Sequence, residues 1–298
     1  MVDWIAFLLL LVLYLAFAAA PFVRRLRVFV TCRRNGIFLA FALLLPFALL
    51  RLSDARVDMA RFLNDLGALA LYVAIPVLAV LLRPAAARAL HWLDIVAILA
   101  FWLPIEFDLL PEAEIVLAAG VTLPATLLTA INLAFLTYLV LRPLPVIGYS
   151  FRLGRSDVRI AATALLAYMP AALLIGSLSG FLIFGVADWR LGEWLSRWPL
   201  IFLFNALPEE LLFRGIIQQQ IHARVSSDWL ALGAAALIFG LSHANNPTPG
   251  FPEPNWMYVI MATLAGLAYG YAWRRSGKIT TAALVHATVN FIWGAFLG

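Results

Sequence analysis

Cysteine and lysine are almost absent from this chain, and charge of either sign is scarce. Cys32 is the single cysteine among 298 residues, which excludes an internal disulfide and any metal site built from several cysteines. Lys278 is the only lysine, so arginine carries nearly all of the positive charge. Charged residues make up 12% of the sequence and hydrophobic residues 64%, a composition outside the usual range for soluble globular domains. The sequence therefore predicts a membrane protein.

Long apolar runs account for this composition, and about ten of them are long enough, or nearly so, to cross a membrane as helices. They lie near residues 4–23, 37–50, 63–82, 92–107, 116–141, 159–185, 198–221, 229–244, 256–273 and 280–297. We therefore predict an all-α fold, a polytopic transmembrane helix bundle of about ten helices. We expect it in the cytoplasmic (inner) membrane.

Basic residues concentrate in alternate loops between these runs. The loops near 24–34, 83–91, 142–159, 222–228 and 274–278 hold most of the 21 lysines and arginines. Cytoplasmic loops of membrane proteins carry such an excess, so we predict that these loops lie in the cytoplasm and that the N-terminus lies outside. Membrane topology thus accounts for the net charge of +5, and we expect no nucleic-acid partner.

One stretch, RPLPVIGYSFRLGRSDV at 142–158, interrupts the apolar pattern with prolines, glycines and arginines. Before it the helices contain few ionisable residues, and after it they contain several. We therefore divide the chain into two parts. Residues 1–150 form transmembrane helices of unassigned role, and residues 151–298 form the core in which we expect the function.

The segment PEELLFRG, residues 208–215, places three charges inside an apolar run. Glu210 and Arg214 are four residues apart on one helical face, so they can form an ion pair. Glu209 lies about 100° around the helix from Glu210, and Pro208 lacks a backbone donor, so we expect the helix to kink or restart there. Charge at membrane depth is costly and usually pairs or lines a wet cavity. A packing network of all three charges is the structural alternative.

Two more polar motifs follow this segment. Phe239 and His243 form F-x-x-x-H at the end of one run, and His286 and Asn290 form H-x-x-x-N on one face of the last run. Together with Glu209 these residues supply what amide hydrolysis requires: a base for water, an imidazole to hold it, and donors for an oxyanion. Taken singly, a histidine at a helix end is more often a hydrogen-bonded core or interface residue than a catalyst, and a polar pair on one helical face can serve only to bond two helices together.

The motifs E-E-x-x-x-R, F-x-x-x-H and H-x-x-x-N, in this order on successive helices, resemble those of the CAAX protease and bacteriocin-processing (CPBP, or Abi) family of intramembrane proteases. That family includes the eukaryotic endopeptidase that trims prenylated CAAX proteins. The resemblance covers roughly residues 160–298. It implies an intramembrane endopeptidase, surrounded by the lipid bilayer, that hydrolyses a peptide bond of a membrane-associated protein or peptide. The sequence does not indicate the oligomeric state.

The resemblance also implies a role for each motif position. Glu209 would activate the water and His243 would assist it. His286 and Asn290 would form the oxyanion site.

The remaining motif positions would have supporting roles. Glu210 and Arg214 would support the catalytic glutamate or the substrate, and Phe239 would support the site from the second motif.

The family is often labelled as metalloprotease, and Glu209, His243 and His286 could ligate zinc. However, the sequence lacks an H-E-x-x-H pair. A reaction that requires no cofactor is therefore the favoured expectation, with zinc as the alternative.

Two other functions compete with proteolysis. A proton-coupled transporter could use buried Glu, His and Arg side chains as a relay, and a non-catalytic member of the family could act as an immunity or scaffold protein. The predicted topology also raises a conflict, since straight helices would place His243 and His286 at different depths. We expect the short helix 229–244 and the proline-rich turn after it to dip into the bundle.

Overall fold

The computed structural model describes residues 2–84, 90–116 and 122–297. Within these ranges the secondary structure is helical, apart from one two-stranded antiparallel sheet and an isolated bridge between Thr248 and Phe251. This confirms the predicted all-α class. The chain divides into two compact units, Met1–Pro145 and Val146–Gly298. The division predicted at residues 150 and 151, and the roles given to the two parts, stay predictions.

The N-terminal unit is a set of apolar helices with a few buried ion pairs. Its elements are α1 (Val2–Ala16), α2 (Ala20–Phe29), α3 (Arg33–Ala42), α4 (Leu44–Ser53), α5 (Met59–Leu82), α6 (Trp92–Glu106), β1 (Glu114–Val116), β2 (Thr122–Pro124) and α7 (Ala125–Phe135), which continues as a π-helical segment, Leu136–Leu141. Asp65 pairs with Arg51, and the fully buried Asp94 pairs with Arg83 and Arg142. These buried charges are thus paired, as expected from the free-energy cost of burying a lone charge.

The C-terminal unit contains every residue of the predicted site. Its helices are α8 (Arg155–Leu178), α9 (Leu191–Ile201), α10 (Leu207–Glu210), α11 (Gln219–Val225), α12 (Asp228–Leu241), α13 (Trp256–Ser276) and α14 (Ile279–Ile292). The π-helical segments are Phe202–Ala206, Leu211–Gln218 and Trp293–Leu297. Helix α13 packs against α8, α12 and α14.

The run from α9 to α11 is helical throughout, with wide π-helical turns on both sides of α10. The change expected at Pro208 takes the form of a restart, because a new α-helical segment, α10, begins at Leu207 after a π-helical one. Because proline has no N–H, it fits near the start of an α-helical segment, and Pro208 occupies such a position in α10. Short π-helical segments within helices are frequent at functional sites.

Helices α12 and α13 approach each other closely through glycines. A methyl group on Gly240 would come within 2.6 Å of the backbone oxygen of Val259, and one on Gly266 within 3.1 Å of Cα of Ala236. The missing side chains therefore let the two backbones meet. This contact positions the end of α12, from which His243 follows.

The turn between α12 and α13 folds back on itself around Asn255. The Asn255 backbone N–H donates to the oxygen of Ala244, and its Nδ2 donates to the oxygen of Asn246 and to Oγ1 of Thr248. Its Oδ1 accepts from the N–H of Tyr258 and caps α13. One buried asparagine thus fixes the segment that carries His243 into the site.

Four helical stretches of the described residues are long and apolar enough to cross a membrane. They are Arg33–Ser53, Met59–Leu82, Arg155–Ser179 and Ile279–Leu297. The pair α1 and α2, bent by 98°, adds a fifth if it crosses as one span, and Ala125–Leu141 and Asp228–Leu241 are apolar but shorter. Each of the ten predicted runs contains a helix, whereas the number of crossings stays a prediction.

Candidate active site

A buried ion pair forms the base of the site. One oxygen of Glu210, Oε1, accepts from Nη1 of Arg214 at 3.0 Å and lies 2.8 Å from Nδ1 of His286. Arg214 also donates through Nη2 to the backbone oxygen of Gly266 at 3.0 Å. Glu210 and Arg214 are fully buried. The pairing predicted from their spacing is confirmed, and its contacts reach two further helices, α13 and α14.

Glu209, the next residue of the motif, has different surroundings. Its side chain is 29% exposed, and its Oε1 accepts a 2.6 Å hydrogen bond from Nδ2 of Asn205. Its Oε2 is buried, makes no hydrogen bond to the described residues, and lies 3.7 Å from Nε2 of His286. Oε2 of Glu210 likewise makes no hydrogen bond to the described residues, so the two glutamates differ in exposure and in the ion pair that only Glu210 forms with Arg214.

Asn205 is a site residue that the sequence motifs did not indicate. It lies in the π-helical segment Phe202–Ala206, four residues before Glu209, and its Oδ1 accepts a 2.7 Å hydrogen bond from Nδ2 of Asn290. Its other amide atom, Nδ2, donates to Glu209. A chain of hydrogen bonds therefore joins the third motif to the first. The only feature of the sequence that could have indicated Asn205 is its spacing of four residues from Glu209.

His243 lies two residues beyond the end of α12. Its Nδ1 is 2.9 Å from the backbone oxygen of Phe239, which can only accept, so the ring carries a proton on Nδ1. In the neutral ring Nε2 is then an acceptor. The rings of Phe239 and Tyr258 each lie 4.8 Å from the imidazole. Phe239 also faces the guanidinium of Arg214 at 4.6 Å, a cation–π contact that links the second motif to the first.

One cavity of about 290 Å³ joins these side chains. Glu209, His243, His286, Asn290 and Asn205 all line it. His243 and His286 thus line the same cavity, although straight helices would place them at different depths. Helix α12 has only 14 residues and ends before His243, so His243 lies in the turn that follows it. The Phe239 ring contacts both imidazoles, at 4.8 Å and 5.6 Å.

Aromatic rings dominate the rest of the cavity wall. They belong to Tyr168, Phe239, Tyr258, Tyr269 and Trp293. The Tyr269 ring stacks on the imidazole of His286 with centroids 4.4 Å apart. The cavity wall thus combines aromatic rings with polar side chains, and polar and apolar atoms share it about equally.

A zinc site is not assembled at these residues. Within residues 2–84, 90–116 and 122–297, no three His, Cys, Asp or Glu side chains are grouped so that they could hold a metal ion. Glu209, His243 and His286, the ligand set considered from the sequence, therefore do not fit a metal ion in this arrangement.

Comparison with known proteins identified one family. Residues 191–292, from the first residue of α9 to the last of α14, match the family model described as type II CAAX prenyl endopeptidase Rce1-like. This confirms the resemblance to CPBP proteases, and the match includes Glu209, His243, His286 and Asn290. No curated protein and no solved structure matches the chain.

Proposed function

We propose that this protein, whose residues 191–292 form an Rce1-like domain, is an intramembrane endopeptidase that uses Glu209 as a general base. The observation that carries the proposal is the arrangement of the two glutamates. Glu210 is fully buried and paired with Arg214, whereas the side chain of Glu209 lines the cavity and is 29% exposed. A carboxylate that lines a cavity can reach a water molecule there, which a general base must do, whereas a carboxylate held in a buried ion pair cannot.

The reaction proceeds by attack of water on the scissile carbonyl. The carboxylate of Glu209 removes a proton from the water, and the water oxygen forms a bond to the carbonyl carbon, whose oxygen becomes an oxyanion. Collapse of this intermediate breaks the C–N bond, and the leaving nitrogen receives the proton from Glu209. A positioned general base contributes about 10²- to 10⁴-fold to such reactions. Nε2 of His243, an acceptor, holds the second hydrogen of the water.

Donors to the oxyanion come from α14. The amide nitrogen of Asn290 has two hydrogens, of which Asn205 accepts one, so the other remains for the oxyanion. His286 donates through Nε2 when its ring is protonated. Loss of one oxyanion donor typically lowers kcat by about 10²- to 10³-fold.

The buried ion pair positions this machinery. Glu210 Oε1 fixes Nδ1 of His286, which turns Nε2 of the same ring toward Glu209. Arg214 balances the charge of Glu210, so the cluster does not bury two uncompensated carboxylates. These residues therefore support the reacting groups and are not among the residues that line the cavity.

The test compares wild type with Glu209→Gln by quantitative mass spectrometry of new protein termini. Both proteins are produced at equal levels, and termini are measured in isolated membranes. Glutamine still accepts from Asn205 and preserves the fold, but it cannot take a proton. Termini present only with wild type support the proposal and reveal a substrate. Identical profiles, in a host shown to contain processed membrane peptides, would favour the transporter or scaffold alternative.

A further inference from the structure

The basic residues of the C-terminal unit collect at one end of its helices. Arg155 and Arg159 lie in the first turns of α8, Arg224 in the last turn of α11, Arg274 and Arg275 in the last turn of α13, and Lys278 just before α14. We call this set of helix ends the basic end. Consecutive helices run in opposite directions, with the run from α9 to α11 counted as one, so the first turns of α8 and α14 lie at the same end of the unit as the last turns of α11 and α13.

Side-chain contacts show that these helix ends meet in space. Nζ of Lys278, before α14, lies 2.8 Å from Oδ2 of Asp157 in α8 and donates to the backbone oxygen of Arg152. Arg274 at the end of α13 pairs with Asp228 at the start of α12. The basic end is therefore one face of the unit and not a property of separate loops.

The opposite ends of the same helices meet as well, and we call them the cavity end. The ring of Phe181, which follows α8, lies 5.2 Å from the ring of Phe251 and 5.0 Å from that of Trp293. The N–H of Ile183 donates to the backbone oxygen of Leu297. The segments after α8, α12 and α14 are thus joined at this end.

The cavity that contains Glu209 reaches the surface at the cavity end. Two of its lining residues, Asn246 and Gly294, are exposed, and both lie in segments of that end. The lining residues that lie farther along the helices, Phe239, Tyr269 and His286, are 2%, 1% and 2% exposed. The cavity is therefore open at the cavity end and closed toward the basic end.

We propose that this cavity opens on the non-cytoplasmic side of the membrane. Lysines and arginines near the ends of membrane helices mark the cytoplasmic side, so the basic end faces the cytoplasm. Arg190 and Arg197 lie at the cavity end, in company with the acidic residues Asp188, Glu193 and Glu253. The basic end thus has six lysines and arginines, whereas the cavity end has two.

The substrate follows from this orientation, and this step rests on the proposed function. It is a polypeptide segment presented on the non-cytoplasmic side, either in an exported peptide or in the outer part of a membrane protein. A prenylated C-terminus, which lies in the cytoplasm, would meet the closed end of the unit. The aromatic rings in the cavity wall suit an apolar side chain beside the bond that is cleaved.

Cysteine labelling of the whole chain tests on which side of the membrane the cavity opens. This measurement does not depend on catalytic activity. In a Cys32→Ser background, Pro249→Cys places one thiol at the exposed tip of the turn between Thr248 and Phe251, at the cavity end. Ala223→Cys places one in the exposed last turn of α11, at the basic end. Neither change alters the number of lysines and arginines, so the matched pair keeps the charge asymmetry intact.

A membrane-impermeant maleimide is then added to spheroplasts, before and after permeabilisation. We expect the cysteine at position 249 to react in intact spheroplasts and the one at position 223 to react only after permeabilisation. The reverse pattern, or a cysteine at 249 that reacts only after permeabilisation, overturns the proposal. Reaction of both cysteines after permeabilisation shows that each thiol is reactive.

The termini that depend on Glu209 test the substrate class separately. Cleavage sites in segments on the non-cytoplasmic side support it, and sites in cytoplasmic segments overturn it. If wild type and Glu209→Gln give no difference in termini, the proposed function fails and the substrate assignment fails with it. The labelling pattern would still decide the orientation of the cavity.

Discussion

At the residue scale, hydrogen-bond direction decides how the general base is aimed. Asn290 donates to Oδ1 of Asn205, and this oxygen can only accept. The other amide atom of Asn205, Nδ2, must then face Glu209, where it donates at 2.6 Å. The amide orientation is thus fixed by both partners, and the oxyanion donor and the base are held by one side chain.

We therefore expect Asn205→Leu, which keeps the side-chain size, to lower the cleavage rate while the protein still folds. A hydrogen bond to a charged group is worth about 1.5–3 kcal/mol, or roughly 10- to 150-fold in rate if the loss falls on the transition state. Because Asn205 positions groups and does not bind the substrate, kcat should fall more than KM rises. Kinetic assays on purified protein give both constants.

Thr288→Val is the matched control for this substitution. Thr288 accepts a hydrogen bond from Nε1 of Trp198 and so joins α9 to α14, without contact to Glu209. We expect Thr288→Val to change kcat by less than twofold. If Asn205→Leu retains wild-type kcat, or if the two variants lose activity equally, Asn205 has no special relation to the base.

The buried pair of Glu210 and Arg214 predicts a different kind of effect. Arg214→Met leaves Glu210 buried without its counter-charge, and breaking a buried pair in this way costs about 3–5 kcal/mol. We expect a clearly lower Tm in detergent, and a partial recovery in the double variant with Glu210→Gln, since no lone charge then remains. Glu209→Gln should leave the Tm nearly unchanged. A double variant less stable than Arg214→Met would contradict this account.

Sequence spacing could predict contacts within one helix but not those between helices. The pairing of Glu210 with Arg214 follows from residues four apart. The position of His286 beside both glutamates, 2.8 Å from one and 3.7 Å from the other, depends on how α14 packs against α10. Asn205 was missed for the same reason. Its hydrogen bond to Asn290, 85 residues away in the sequence, forms only when two helices pack together.

At the scale of elements, the contact between α12 and α13 sets the position of the second motif. Gly240→Ala would push its methyl group against Thr263 and the backbone oxygen of Val259, so the helices must separate. We expect a loss of activity together with a lower Tm, because Phe239 and His243 move with the end of α12. Thermal unfolding and cleavage assays on the same preparation measure both effects.

Gly233→Ala in the same helix serves as the control. A methyl group there would meet no atom within 4 Å, and alanine favours a helix over glycine by about 1 kcal/mol. We expect unchanged activity and an unchanged or slightly higher Tm. Equal losses in the two variants would mean that glycine in α12 matters for the helix itself and not for its contact with α13.

Helix positions were predictable from hydropathy, while the breaks near the site were not. Each apolar run contains a helix because uninterrupted apolar length requires satisfied backbone groups. The run 198–221, however, alternates between π-helical and α-helical turns around Pro208. The fold of the turn before α13 likewise depends on the side chain of Asn255, which contacts Asn246 and Thr248. Local polar contacts of this kind leave no periodic pattern.

At the scale of the whole molecule, the basic end and the cavity end of the C-terminal unit have separate tasks. The cavity end contains the opening of the cavity, and the basic end contains a hydrogen-bond network around Asp157. This carboxylate accepts from the N–H of Gly154 at 2.7 Å, from Lys278 at 2.8 Å and from Oγ1 of Thr281 at 3.3 Å. The network joins the start of α8 to the start of α14, far along the helices from Glu209.

We therefore expect Asp157→Ala to lower stability without changing the chemistry. The variant leaves Lys278 and two donors without their acceptor, at a cost of about 1–3 kcal/mol, so Tm and the yield of folded protein should fall. The value of kcat per folded molecule should match wild type, the opposite of the result expected for Asn205→Leu. If kcat falls together with Tm, the prediction is wrong. The start of α14 must then move in the variant and displace His286, so that contacts at the basic end affect the chemistry in the cavity.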